Sequence, residues 1–138
     1  MKSFSSLEHP SDEGIEARGS TREHAYEAAA EGLTEMMLSR IMITEAHERA
    51  FVTEAADEPS LLVRFLNHIL YLFDAEHFVA RTVSVRFLHP LTLECTLLGD
   101  VIAPDTYPMN AYVKAVTYHQ LEIHHDDHAW TIRFFVDV

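Results

Sequence analysis

Between Leu62 and Phe73 apolar side chains recur at Leu62, Phe65, Leu66, Ile69, Leu70 and Phe73, a spacing that an α-helix turns into one continuous stripe. Asp57 stands where an N-cap is needed, and Pro59 falls in the first turn, where its missing N–H costs nothing. Burying these side chains contributes roughly 10–15 kcal/mol of gross transfer free energy, opposed by the entropy of ordering them. Asn67 and His68 sit off the stripe and are predicted to face water. So wide a stripe needs a layer to cover, and the next residues supply one. Val83, Val85 and Phe87 alternate with Thr82, Ser84 and Arg86 up to His89-Pro90, and Leu91–Leu97 alternates again, which predicts a β-hairpin. Cys95 lies on the leucine face and reads as a small buried hydrophobe rather than a nucleophile.

Upstream, residues 4–18 read as two short extended pieces around Glu8-His9-Pro10-Ser11-Asp12, with Ile15 and Ala17 on one apolar face. Ser20, with Glu23 three residues later, forms a capping-box pattern that opens a first helix. Tyr26, Ala29, Ala30, Leu33, Met36 and Met37 form its face, narrow enough to lie close to a sheet, with the methionines as core filler. A connection from Ile41 leads into a strand at Arg49–Glu54. Gly99–Asn110, with Pro104 and Pro108, is predicted to be a long irregular loop, a kind of segment that is often functional.

A length of 138 residues suits one domain spanning 1–138. With 48% hydrophobic and 23% charged residues it reads as globular rather than disordered. The single cysteine rules out an intramolecular disulfide, and no signal peptide or membrane-spanning run is visible, so a cytoplasmic location is expected. A formal net charge of −12 argues against direct nucleic-acid binding and suits metal cations or a basic protein partner. Phosphate-binding glycine loops, nucleophile elbows and paired cysteines are missing.

The last quarter of the chain carries charges that a structural strand does not need. Tyr112–Ile123 and Phe134–Val138 read as dense β-type runs, yet the first contains Lys114 and the second ends with Asp137. A lysine in an apolar ladder must snorkel or meet an anion, and a carboxylate closing a strand needs a donor, a cation or water. Trp130, Ile132, Phe134 and Val136 share one face, which leaves Thr131, Arg133, Phe135 and Asp137 on a half-polar one. His124-His125-Asp126-Asp127-His128 offers metal-binding side chains, but at a hairpin tip without fixed supports it reads as an exposed turn.

Three stretches together resemble the archease family. Glu8-His9-Pro10-Ser11-Asp12 with Ile15-Glu16-Ala17-Arg18-Gly19 is similar to the family's D-H-T-A-D opening, and Asn67–Asp74 to the middle of its second helix. Val113-Lys114-Ala115-Val116-Thr117-Tyr118-His119, with Phe135-Val136-Asp137-Val138, is similar to its closing strands. The resemblance implies an α+β domain with two helices packed on a mixed, largely antiparallel sheet. It further implies an accessory protein, not itself an enzyme, that accelerates guanylylation of an RtcB-type RNA ligase in tRNA splicing or RNA repair. GTP would be met only through that partner. A divalent cation (calcium, magnesium or manganese) is implied at Asp12 and Asp137, with Lys114 as the activating cation. Glu8, Pro10-Ser11, Tyr107 and Gln120 depart from the pattern, which has aspartate, Thr-Ala, histidine and glycine there. Two other readings remain open: a chaperone-like module without a ligase client, and a small metal-dependent hydrolase.

Overall fold

One buried helix is shared by two antiparallel sheets. The structure, a computed structural model, describes residues 1–9, 12–103, 105 and 107–138, apart from the side chains of Glu8, His9 and Asp12. Strands β1 (Lys2–His9) and β2 (Asp12–Gly19) form a hairpin in register from Lys2 against Gly19 to His9 against Asp12. The second edge of β2 pairs with β8 (Trp130–Asp137). Along the far side of β8 lie β6 (Ala115–Val116) and β7 (Glu122–His125). The other sheet contains β3 (His47–Glu54), β4 (Phe78–His89) and β5 (Thr92–Val101), with β5 in the centre. This is the expected α+β class with two helices on antiparallel β-structure, divided here between two sheets.

Helix α1 (Arg22–Met37) is the shared layer, touching β1, β2 and β8 of the first sheet and β4 of the second. Its predicted face is buried at Tyr26, Ala29, Ala30, Leu33 and Met37, and Ala25, Ala28 and Gly32 are buried as well. These small residues let backbone approach backbone on more than one side. The helix is capped one residue later than the capping box predicts. Thr21 accepts from the His24 N–H at 3.1 Å, while Ser20 Oγ accepts from the amino group of Met1 at 2.9 Å.

Two acidic residues of α1 do something that periodicity did not show. Glu27 accepts the backbone N–H of Val85 at 2.9 Å and Glu31 that of Val83 at 3.4 Å. From the other side Lys2 Nζ reaches Glu27 at 3.0 Å and Glu31 at 3.3 Å. Arg40 donates twice to the carbonyl of Arg81, at 3.1 and 2.9 Å. The outer edge of β4 is thereby closed by side chains, as a buried strand edge requires.

Helix α2 (Glu58–Glu76) buries every residue of the predicted stripe and packs on β3, β4 and β6. Asp57 caps it, accepting the Ser60 N–H at 2.8 Å. That bond holds the Asp57 carboxyl below its ordinary value. Cys95 is fully buried on β5, and desolvation pushes its thiol up to about 12. Asn67 and His68 depart from expectation. Both are half-buried: His68 stacks on Phe51 at 3.9 Å, and Asn67 is held by the backbone of β6.

Candidate functional site

The charged stretches meet at one end of the first sheet, and backbone register brings them there. Glu13 lies against Val136 in the β2–β8 ladder, so the next residue on each strand is Asp12 on β2 and Asp137 on β8. On the other side of β8, Ala115 faces Asp137, and the Lys114 N–H donates to the Asp137 carbonyl at 2.8 Å. Three strand ends from both termini of the chain therefore converge. The side chains of Glu8, His9 and Asp12, and all of Pro10 and Ser11, lie outside the described residues.

The run Tyr112–Ile123 is not the single strand its composition predicts. Val116 faces Val136 and Glu122 faces Arg133, so six steps along this segment (116 to 122) oppose three along β8 (136 to 133). The surplus is thrown out as a turn closed by the Leu121 N–H on the Tyr118 carbonyl at 3.2 Å, with Gln120 in the left-handed region at φ 53°. Glycine would reach that conformation without steric cost. Within the turn the His119 ring stands edge-on to Phe135, centroids 6.4 Å apart. Phe135 in turn lies over Gly14, where a Cβ would meet its ring at 2.6 Å. Gly14 is thus required by close approach, and Phe135 is buried despite its place on the half-polar face.

Asn67 fixes the segment from behind. Its side-chain amide acts as a miniature strand, accepting the Val116 N–H at 2.8 Å and donating to the Val116 carbonyl at 3.1 Å. Each such bond contributes about 1 kcal/mol net. Helix α2 is thereby tied to the residue pair that immediately follows Lys114. Asn67 and His119 are the positions that reading for charge alone did not select. The signal for both was present in the family-like stretches, where neither fits an apolar period.

Lys114 and Asp137 are exposed, and among the described residues neither side chain makes a hydrogen bond or an ion pair. Their backbones are fixed while their charges are presented to solvent. Carboxylates are the hard oxygen donors that calcium, magnesium or manganese take. Among the described residues no three His, Cys, Asp or Glu side chains cluster closely enough to hold a metal by themselves. At the hairpin tip, His125 stacks on Trp130 at 4.2 Å and Asp126 accepts from the N–H groups of His128 and Ala129 at 2.7 and 2.9 Å. Those bonds, the His128 one first, hold the Asp126 carboxyl below its ordinary value and make it a turn-former. No helix among the described residues is long and apolar enough to cross a membrane.

The fold and this end of the sheet define a small α+β protein with exposed charges on a tightly fixed strand terminus. Residues 4–138 match the model of the Archease protein family, and the chain belongs to that family. It is 32% identical to protein archease of Thermococcus kodakarensis over 142 aligned residues, covering 100% of both chains. It is 31% identical to that of Pyrobaculum neutrophilum, covering 95% of this chain and 92% of the other. The solution structure of Methanobacterium thermoautotrophicum protein 1598 superposes with a TM-score of 0.86 at 28% identity, covering 98% of each chain. A Thermotoga maritima archease, described as a possible chaperone, superposes at 0.63 with 17% identity, covering 96% of this chain and 94% of the other, and shares the fold.

Proposed function

We propose that this archease-family chain is an accessory protein that accelerates guanylylation of an RtcB-type RNA ligase, acting through the end of its first sheet. The observation that carries the reading is the β2–β8 register, with Asp12 and Asp137 as the next residues after the Glu13–Val136 pair. In the proposal these carboxylates hold one divalent cation, and Lys114 projects an ammonium beside them. A bound cation would supply charge neutralisation for nucleotidyl transfer, a reaction that depends mainly on placing metal and phosphate. Lys114 would contact a phosphate of GTP carried by the ligase, as a point charge on a flexible stem. Asn67 keeps that stem's backbone from drifting by holding Val116. The net charge of −12 supports contact with the ligase protein rather than with its RNA.

The test is single- and multiple-turnover guanylylation of the ligase from the same organism, with and without this protein. Wild-type protein raises turnover, whereas Asp137→Ala and Lys114→Ala lose the stimulation while keeping native circular dichroism. Full stimulation by both variants removes the site from the mechanism. No stimulation by the wild type removes the ligase client and leaves the chaperone-like role.

A further inference from the structure

The two outer edges of the second sheet are treated in opposite ways. That of β4 is closed by Glu27, Glu31 and Arg40, whereas that of β3 is open along its middle. At the ends of β3 the carbonyls of Glu48 and Glu54 accept guanidinium donors, from Arg49 at 2.9 Å and Arg64 at 3.3 Å. The even-numbered residues of β3 thus direct their backbone groups away from β5. Between them, the N–H and C=O groups of Ala50 and Val52 have no partner among the described residues. Val52 is 58% exposed, and no lysine, proline or bulge guards it. An eight-residue strand with bare backbone at its centre is an acceptor for another strand. Beside it runs a groove of about 470 Å³ between β3 and α2, lined in part by Val63, Arg64 and His68.

We infer that the β3 edge is a docking site for an extended segment of another protein in which two basic residues bracket two apolar ones at alternate positions. The charges choose the occupant. Residues opposed across an antiparallel pair point to the same face, so the segment's solvent-side residues lie against Glu48, Ala50, Val52 and Glu54. Glutamates at both ends call for Lys or Arg, and the Ala50–Val52 centre calls for apolar side chains. The intervening residues of the segment fall toward the groove. A second copy of this chain is the wrong partner, because the antiparallel register that sets Ala50 of each chain against Val52 of the other also sets Glu48 against Glu54. Like charges directly opposed destabilise a strand pair, and a net charge of −12 on each chain adds to the repulsion. The inference does not rest on the ligase reading, since any partner with such a segment fits.

The probe is the peptide acetyl-Thr-Lys-Thr-Val-Thr-Val-Thr-Lys-Thr-amide, titrated into ¹⁵N-labelled full-length protein. The Ala50 and Val52 amides are expected to shift and to exchange with solvent about tenfold more slowly, and a peptide with glutamate for lysine to bind about tenfold more weakly. Val52→Pro removes an N–H that β5 does not use, so it blocks the peptide and leaves the sheet intact. The pair Glu48→Lys with Glu54→Lys keeps the backbone and reverses the preference between the two peptides. Unmoved Ala50 and Val52 amides overturn the proposal, as do equal affinities for the two peptides. A concentration-dependent dimer that Val52→Pro dissolves overturns it in favour of a second copy.

Discussion

The outer edge of β4 and the end of β8 are both rich in charge, and they use it differently. At β4, Glu27 and Glu31 are spent on backbone amides and on Lys2, so each charge is there to close a strand edge that the fold buries. At the end of β8 the backbone is equally well held, by Lys114 N–H on Asp137 and by Asn67 on Val116, but the Lys114 and Asp137 side chains are exposed and, among the described residues, take no part in the holding. The difference separates architecture from presentation. Charges that satisfy the chain's own polar groups stabilise it, and charges held on rigid backbone without such a task are available to a ligand.

Substitutions should divide along the same line. The largest effect is expected for Glu31→Ala, which orphans the Val83 N–H and strips Lys2 of one of its two anions. Equilibrium urea unfolding should show a loss of about 3 kcal/mol, and a neutral result would break the contrast at its structural end. Asn67→Ala removes two bonds to Val116 and is expected to cost about 2 kcal/mol; it should also weaken the proposed ligase stimulation, because the Lys114 backbone is released. Gln120→Gly relieves the left-handed residue of the turn and should raise stability by up to about 1 kcal/mol, read from the same unfolding curves.

A smaller effect concerns pH. Burial holds the His68 imidazole below its ordinary 6.5, with the Glu76 charge acting weakly the other way. A histidine so shifted binds fewer protons folded than unfolded. Its contribution to stability is therefore present above 6.5 and is lost as pH falls through the lower folded-state value. Unfolding midpoints compared at about pH 7 and about pH 5 should show a drop that His68→Leu reduces.

The α2 stripe, its Asp57 cap, the hairpin from Phe78 to Leu97 and the buried Cys95 were legible because each is a local pattern whose period matches its own element. Strand β5 instead runs on to Val101, into the predicted loop, because His47 and Phe78–Ala80 pair with Gly99–Val101 there. What was not legible depends on partners far along the chain. Asn67 lies off the stripe and reads as solvent-facing, yet its partner Val116 is 49 positions away. Glu27 and Glu31 look like ordinary helix-surface acids until the β4 edge is laid against them. The run from Tyr112 to Ile123 has strand composition throughout, but β8 offers it too few residues to pair with, so the turn at 118–121 is forced out. At the site, Lys114 and Asp137 were recognisable as charges out of place, whereas their nearness to the start of β2 follows only from the ladder.

The most direct test of this account is calcium or manganese binding to wild-type, Asp12→Ala and Asp137→Ala protein, measured by calorimetry on folded samples with matched unfolding midpoints. One cation per chain, lost in either variant without loss of stability, is the result predicted. Unchanged binding in both variants, or two cations of which each variant loses only one, would contradict a single shared site.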